Sequence, residues 1–175
     1  TDPASVCWTF NIRGNDVVHT PLTLAWAIVP ARGRPQLFVD PQKLGNSVTA
    51  YLEEHADLRP PEAFETALAD LGRTANKPVM LDPARAAAAI AAIIEDAGGS
   101  TIDGTDPAVR PRATKNRVER KGAVEAHRRD GAAMATFLAW LDAQDPASLD
   151  EIAIVRKLEQ VRTETGDRLG MPLRE

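Results

Sequence analysis

The segment from Val79 to Asp103 constrains the fold of this chain most strongly. It reads VMLD, then ARAAAAIAAIIEDAGG, and then TID. Two strand-like runs joined by a helix-like run of this length predict a parallel β-α-β crossover, because parallel strands need a connection of about a dozen residues or more. Gly98 is expected to end the helix. The sequence therefore predicts an α/β fold rather than a helix bundle.

Three apolar runs upstream predict further strands of the α/β fold. These runs are VCWTFNI, TLAWAIVPA and QLFVD, with the turn-forming stretches RGND and RGRP between them. Asp40-Pro41 and Asp82-Pro83 each follow a strand-like run, and each has the residue types of a helix start. The segments SVTAYLEEHADL and PEAFETALADLG are predicted to form short surface helices.

The composition changes near residue 107, where the stretch DPAVRPRATKNRVERK contains two prolines and has six Lys or Arg between Arg110 and Lys121. Such a shift indicates a domain boundary, so we expect an α/β domain over 1–108 and a mainly helical part over 109–175. The basic run has no aromatic residues interleaved with it and is interpreted as a solvated face or an interdomain contact rather than a phosphate-binding surface.

Two amphipathic helices are predicted after this boundary. Ser148 and Glu151 have the spacing of a capping box at the start of the second helix, and Gly166 lies near its end. The apolar stripe of the first is Met134, Phe137, Leu138 and Leu141, and that of the second is Ile154, Val155, Leu158 and Val161. Two helices alone form a poor core, so these stripes are expected to need a sheet or further helices as partners.

The charge and the cysteine content of the chain indicate which partners and which cellular compartment to expect. The formal net charge is −4, so no overall field attracts nucleic acid or an anionic membrane surface, and neither is expected as a partner. The single cysteine, Cys7, lies in an apolar run, which indicates a buried thiol and a reducing compartment; we expect a cytoplasmic protein. The chain does not start with Met, and we expect it to be part of a longer protein.

The sequence does not contain the common patterns of metal-binding, hydrolase or nucleotide-binding sites. A metal centre needs several converging ligands, and His19, His55 and His127 are far apart in sequence. The chain has no G-x-S-x-G elbow and no phosphate-binding loop, so a hydrolase triad and a nucleotide-binding regulatory domain lack support. Asp103 and Asp106 of TIDGTD are interpreted as turn residues rather than metal ligands.

One stretch, VCWTFNIRGNDVVHTP, does concentrate polar side chains. Arg13, Asp16 and His19 fall within seven residues of each other around a predicted turn. Turns that hold charged residues in a fixed geometry serve both binding and stability. These three residues are therefore the candidate site.

The same stretch resembles the three-domain Xaa-Pro aminopeptidases, or aminopeptidase P, of the creatinase/prolidase-like metallopeptidases. Their second domain carries a pattern W-L-x-N-x-R-G-x-D-x-x-H-x-P. The resemblance continues through QLFVDPQKL and VMLDPA into ATKNRVERKGAVEAHRRDGAAMATFLAWLD. This sequence differs from the family pattern at Arg120 and Lys121. The residues that match the pattern are Trp8, Asn11, Arg13, Gly14, Asp16, His19 and Pro21.

The resemblance implies a creatinase-like second N-terminal domain, a mixed sheet flanked by helices, followed by a linker and the first two helices of a pita-bread catalytic domain. Such enzymes hydrolyse the N-terminal residue from peptides with proline second. They use two divalent metal ions, usually manganese, on ligands that would lie downstream of this chain. The chain alone is then expected to bind no metal and to be inactive. Its expected partners are the missing catalytic domain and a second copy, and Xaa-Pro peptides are expected as partners of the full-length enzyme.

For the candidate site the resemblance implies a place in the wall of the active-site cleft. Arg13 and His19 are then expected to contact a short peptide, with Asp16 orienting one of them. The purely structural alternative is an ion pair between Arg13 and Asp16 that stabilises the turn, with His19 at a strand end. The alternative for the whole chain is a stand-alone peptide- or protein-binding module with a creatinase-like fold.

Overall fold

The computed structural model describes residues 1–169, which fall into two compact units. The first unit comprises Thr1–Thr114 and the second begins at Lys115. The division expected after residue 108 falls just before the last helix of the first unit. The first unit is a mixed α/β structure, as the sequence predicts, and the second is helical.

The first unit contains five short strands and five α-helices within its described residues. Short 3-10 turns at Pro41–Lys43 and Pro61–Ala63 connect some of them. In chain order the elements are α1 (Pro3–Thr9), β1 (Trp26–Ile28), β2 (Gln36–Phe38), α2 (Asn46–His55), β3 (Asp57–Arg59), α3 (Phe64–Thr74), β4 (Val79–Leu81), α4 (Ala88–Asp96), β5 (Thr101–Asp103) and α5 (Val109–Ala113).

The strands form two small sheets. In the three-stranded sheet, β2 lies at the centre, antiparallel to β1 and parallel to β3. In the two-stranded sheet, β4 and β5 are parallel, with Met80 opposite Ile102. Helix α4 joins these two strands, which confirms the predicted crossover. Gly98 follows the helix with a φ of 93°, the left-handed conformation expected of a helix-ending glycine.

The central strand β2 divides the core into two clusters. Leu37 and Val39 contact α1 and α2 on one face, whereas Phe38 contacts α3 and α4 on the other. All three side chains are at most 2% exposed. Because successive side chains of a strand point to opposite faces, three consecutive apolar residues such as these must be covered on both sides. The three-stranded sheet of the first unit therefore lies between two layers of helices.

The prediction of a strand over VCWTFNI is wrong, because Pro3–Thr9 is helix α1. The Asp2 side chain accepts a hydrogen bond from the Ser5 amide, and Pro3 occupies the first helical turn. Val6, Cys7 and Phe10 then lie on one buried face. Asp-Pro is the same start signal that the sequence analysis recognised at Asp40 and Asp82, and here it outweighs the β-branched and aromatic composition.

The helix expected directly after Asp82-Pro83 begins later, at Ala88. The Asp82 carboxylate accepts hydrogen bonds from the amides of Ala84 and Asp106, at 3.0 and 2.9 Å. It therefore caps a turn and also holds the segment after β5. The start signal at Asp40 leads to the 3-10 turn Pro41–Lys43 rather than to an α-helix.

The second unit contains α6 (Arg117–Asp142) and α7 (Glu151–Arg168), joined through a 3-10 turn at Pro146–Ser148. The predicted capping box at Ser148 is wrong, since Asp150 caps α7 by accepting from the Ala153 amide. A capping box does occur at Asn116 and Glu119, where the N-x-x-E spacing was a readable signal.

The two apolar stripes of the second unit pack against each other. Phe137 and Val161 are buried in a cluster with the partly buried Met134, Leu141, Ile154 and Leu158. Leu138 and Val155, predicted to lie on these stripes, are instead about half exposed. Because an α-helix rotates 100° per residue, only one of two adjacent apolar positions faces a single narrow partner helix.

Gly72 provides a test of this packing. A Cβ added to Gly72 would overlap the Ile94 carbonyl and the Ala97 side chain, so α3 and α4 approach closely only because position 72 is glycine. We expect Gly72→Ala to lower the free energy of unfolding by about 1–3 kcal/mol, measured by urea denaturation. Gly122→Ala is the control, because a Cβ on Gly122 of helix α6 meets nothing within 4 Å. It should raise stability by about 0.5–1 kcal/mol. Equal effects would contradict the close-approach explanation.

Candidate functional site

The candidate residues lie on the loop between α1 and β1, which we call the 13–22 loop. The Asp16 amide donates to the Leu22 carbonyl at 3.2 Å and closes the base of the loop. At the tip, the Thr20 amide donates to the Val17 carbonyl at 3.1 Å and forms a tight turn. Val18 at this tip is 79% exposed. Val18 and His19 are therefore exposed residues at the tip of a loop whose base is closed by hydrogen bonds.

Asp16 is the centre of the contacts at the base of this loop. Its Oδ2 accepts from the Lys43 Nζ at 2.6 Å, the Leu24 amide at 2.7 Å and the Thr23 hydroxyl at 3.3 Å. The Asp16 side chain is 18% exposed. The hydrogen bonds from Lys43 and from the Leu24 amide hold the pKa of Asp16 below its ordinary value, although partial desolvation opposes them.

A short turn that begins at Asp40 positions Lys43 beside Asp16. The Asp40 side chain accepts from the Gln42 amide at 2.9 Å, and Pro41 begins the 3-10 turn that ends at Lys43. The strand β2 ends just before this turn, so the buried strand fixes where the turn begins. This turn therefore places Lys43 next to the Asp16 carboxylate, which lies 27 residues earlier in the chain.

Arg13 makes a different set of contacts. Its Nη1 donates to the carbonyls of Ile12 at 2.7 Å and Cys7 at 3.4 Å. The Cys7 carbonyl also accepts from the Ile12 amide at 3.0 Å and belongs to the last turn of α1, where a cation is favourable. Arg13 is otherwise exposed. The guanidinium is thus held by the end of α1, with part of it facing solvent.

The small residue Gly14 lets the two arms of the loop approach. A Cβ on Gly14 would lie 2.7 Å from the Thr23 Cβ, so a larger residue would push the arms apart. On the other side of Thr23, its amide donates to the Cys7 Sγ at 3.4 Å, and the thiol donates to the Thr23 carbonyl at 3.7 Å. Cys7 is 1% exposed, which confirms the predicted buried thiol.

His19 occupies a strained backbone position. Its φ of 57° lies in the left-handed region, which favours glycine. A bulky residue held in this conformation costs about 1–2 kcal/mol relative to ordinary backbone. Strain of this kind persists only where the surrounding structure imposes it, and it occurs often at ligand-contacting sites.

The structure brings the three sequence-predicted residues onto one loop but does not pair Arg13 with Asp16. Asp16 takes Lys43 as its cation, and Arg13 donates to backbone carbonyls. The ion pair proposed as the structural alternative is therefore not formed. Lys43, Thr23 and the Leu24 amide were missed by sequence reasoning. Only the Asp40-Pro41 turn signal pointed toward Lys43, and it carried no information about a partner.

Other places in the described chain carry no catalytic constellation. Within residues 1–169, no three His, Cys, Asp or Glu side chains are grouped so that they could hold a metal ion. His55 packs edge-on against Tyr51, and His127 contacts the Ala123 carbonyl on its own helix. Over the same range, no helix has the length and apolar character needed to cross a membrane.

An open depression of about 670 Å³ lies on α6 and does not resemble a binding pocket. Its walls come from a single exposed helix face and hold no aromatic side chain on which a base or ring could stack. The lining residues are Arg117, Arg120, Lys121, Val124 and Glu125.

Comparison with known families identifies the first unit. A family model described as the creatinase/prolidase N-terminal domain matches residues 1–119. This range includes the 13–22 loop, both sheets and α5.

Individual relatives extend the similarity over nearly the whole chain. A protein of Aspergillus flavus named "Probable Xaa-Pro aminopeptidase P" is 31% identical over 90% of this chain and 25% of its own length. A protein of Podospora anserina with the same name is 32% identical over 95% of this chain and 26% of its own length. The chain therefore spans about a quarter of these relatives.

A solved structure shows the same fold. The X-prolyl aminopeptidase of Caenorhabditis elegans, described as a cytosolic enzyme with a di-nuclear active site, superposes with a TM-score of 0.77 at 27% identity. The superposition covers 91% of this chain and 26% of that one.

The contacts of Asp16 predict a pH-dependent stability. Asp16→Asn should lower the free energy of unfolding by about 1–2 kcal/mol at pH 7, because it removes a charge-assisted bond. Since the pKa of Asp16 is lowered by folding, this contribution is complete above its ordinary pKa and is lost as the pH falls through the folded-state pKa. Denaturant titrations between pH 7 and pH 2 should show the two proteins converging in acid.

Two variants control this measurement. Lys43→Met should destabilise in the same direction, and the double variant should lose less than the sum of the two single losses. Asp57→Asn removes an exposed pair with Arg34 and should cost about 0.5 kcal/mol or less. A loss in Asp16→Asn that does not change with pH would contradict the assigned role.

The backbone conformation of His19 predicts a reversal between two positions. His19→Gly should be more stable than His19→Ala by about 1 kcal/mol in thermal unfolding, since both lack the imidazole and only glycine is relaxed at this φ. At the neighbouring Val18, which lies outside the positive-φ region, alanine should be the more stable of the two substitutions. The same order at both positions would rule out strain at His19.

Proposed function

This chain belongs to the creatinase/prolidase N-terminal domain family, and on that basis we propose that it is a non-catalytic part of an Xaa-Pro aminopeptidase. The enzyme would hydrolyse the N-terminal residue from peptides whose second residue is proline. The chain would supply a wall of the substrate cleft and a scaffold for the catalytic domain. The relative described as cytosolic and the reduced, buried Cys7 support a cytoplasmic location.

The observation that carries this proposal is the extent of the structural match. The similarity to an X-prolyl aminopeptidase covers both units of the chain, not only the family domain. The described residues nevertheless provide no ligand cluster that fits a metal ion. We therefore assign the hydrolytic chemistry to a part of the protein outside this chain. When bound there, two divalent ions, expected to be manganese, would supply an activated water and a polarised carbonyl.

Within this proposal the 13–22 loop contacts the peptide. Arg13 is anchored through Nη1 to two carbonyls, so its charge is held in place while its exposed part remains available to a peptide carbonyl or carboxylate. His19 projects from the tip of the loop. Asp16 fixes the base of the loop through Lys43 and the Leu24 amide.

The division of labour can be tested by activity and metal content. The chain 1–175 and the longer polypeptide read from the same frame would be purified in parallel and assayed with manganese and an Xaa-Pro peptide. We expect metal binding and hydrolysis only in the longer protein. Activity in the chain alone would contradict the proposal. A frame that stops at Glu175, or a longer protein without hydrolysis, would favour a stand-alone binding module.

The role of Arg13 can be tested separately in the longer protein. Arg13→Ala should raise the KM for an Xaa-Pro peptide by about tenfold or more, the usual effect of losing one charge-assisted hydrogen bond. Arg32→Ala is the matched control, because Arg32 is also an exposed arginine of a loop in the first unit. Unchanged KM with a lower melting temperature would show that Arg13 only stabilises the end of α1.

A further inference from the structure

One face of α6 is exposed along its whole length, and we call it the outer strip. Its residues follow one another at alternating steps of four and three positions. Because an α-helix turns through about 100° per residue, this spacing keeps them on one side of the helix. Ala133 and Phe137, which pack against α7, lie on the opposite side. The strip consists of Arg117, Lys121, Val124, Arg128, Gly131, Ala135, Leu138 and Asp142, all of them exposed.

The middle of the outer strip is apolar or small. Val124 is 70% exposed and Leu138 is 50% exposed. Gly131 and Ala135 lie between them, and a Cβ added to Gly131 would meet nothing within 4 Å. Because small residues allow two helix axes to approach closely, a second helix can pack against this part of α6.

The two ends of the outer strip carry opposite charges. Arg117 lies in the first turn of α6, Lys121 lies in the second, and Asp142 is the last residue of the helix. Within residues 1–169, none of these three side chains forms an ion pair. Because of the helix dipole, cations are unfavourable in the first turn of a helix and anions are unfavourable in the last. These charges therefore reduce the stability of α6 by itself, and a partner of opposite charge would offset this cost.

The outer strip is complementary to itself when a second copy runs in the opposite direction. Arg117 then lies opposite Asp142 of the second copy, and Val124 lies opposite its Ala135. A two-fold axis repeats each contact, so both charged ends are paired and the apolar middle is covered. Two parallel strips would instead place Arg117 against Arg117, and like charges oppose such an arrangement. The charges therefore favour the antiparallel direction.

The remaining positions of the strip are compatible with this register. Leu138 of the second copy lies opposite Lys121, at the open depression on α6 whose lining includes that lysine. Arg128 pairs with Glu125 of its own helix at 3.1 Å and lies opposite Gly131, which has no side chain to obstruct it. No position of the strip therefore meets a like charge in the antiparallel pair.

We propose that the outer strip is a dimer interface, in which two copies of this chain associate through antiparallel α6 helices. The Arg117-Asp142 pairs set the direction, while Val124, Ala135 and Leu138 supply the apolar contact. With 26 residues, α6 is about 39 Å long. A single helix pair of this length forms a small interface, so the dissociation constant should be about 1–100 μM. This inference does not depend on the proposed function.

Sedimentation equilibrium of the chain at low salt tests the association. Arg117→Asp and Asp142→Arg should each weaken the dimer by about tenfold or more, and the double variant, which exchanges the two charges, should restore it. Both single substitutions favour the helix dipole, so weaker association cannot result from unfolding of α6. Arg156→Asp is the matched control, because Arg156 is an exposed arginine of α7, and it should change the dissociation constant by less than about twofold.

Cysteine cross-linking tests the register. Val124 and Ala135 lie opposite each other only in the antiparallel pair, so the double variant Val124→Cys/Ala135→Cys should form a disulfide-linked dimer on mild oxidation. Val124→Cys alone should not, because the two copies of residue 124 then lie about 16 Å apart along the helix axis. Cys7 is 1% exposed, so the native thiol does not compete.

A monomer at concentrations up to about 1 mM would overturn the proposal. So would a failure of the charge exchange to restore association, equal weakening by Arg156→Asp, or cross-linking of Val124→Cys alone. The longer polypeptide read from the same frame, measured in parallel, should also form a dimer that Arg117→Asp weakens. Association that Arg117→Asp leaves unchanged there would show that another part of the longer protein covers the strip, which also contradicts the proposal.

Discussion

The burial of strand β2 on both faces is the constraint on which the first unit depends. Leu37 and Val39 require a cover on one side and Phe38 requires one on the other, and four helices provide these two layers. With strands of three residues, the sheet makes few ladder hydrogen bonds. Side-chain packing across β2 therefore contributes more to its stability than strand pairing does. The same strand fixes the start of the turn that carries Lys43, so the core also determines the shape of the candidate loop.

Asp-Pro pairs define where many elements begin, and several have a second role. In each pair the carboxylate accepts from an amide two or three residues later, while proline fixes the backbone and contributes no amide donor. Asp2 also holds Arg112, Asp82 also holds the Asp106 amide, and the turn at Asp40 presents Lys43. The same aspartates that cap local turns and helices thus also help to form contacts between residues that are far apart in the sequence. The five carboxylates are Asp2, Asp40, Asp82, Asp106 and Asp145.

The parts of the fold that sequence predicted are those where local preference and packing agree. The crossover through α4 is one such part, because its alanine-rich helix and both flanking strands favour the same structure. VCWTFNI was mispredicted because its composition favours a strand while the preceding Asp2-Pro3 favours a helix, and α1 buries Val6 and Cys7 of this run. For the candidate site, the sequence indicated that Arg13, Asp16 and His19 lie around one turn, but it did not indicate Lys43. A pair 27 residues apart depends on tertiary structure, and an isolated lysine after a turn carries no signal of its partner.

The environment of Cys7 has a consequence for how the loop can be observed. Its sulfur is enclosed between the amide and the carbonyl of Thr23, directly behind the Asp16 contacts. A thiol-modifying reagent reacts with an exposed thiolate, so it can reach this sulfur only when α1 and the segment around Thr23 separate. The rate at which the reagent modifies Cys7 therefore depends on how often this separation occurs. Cys7 is thus a native chemical probe for the opening of the 13–22 loop, at the point where the loop joins the core.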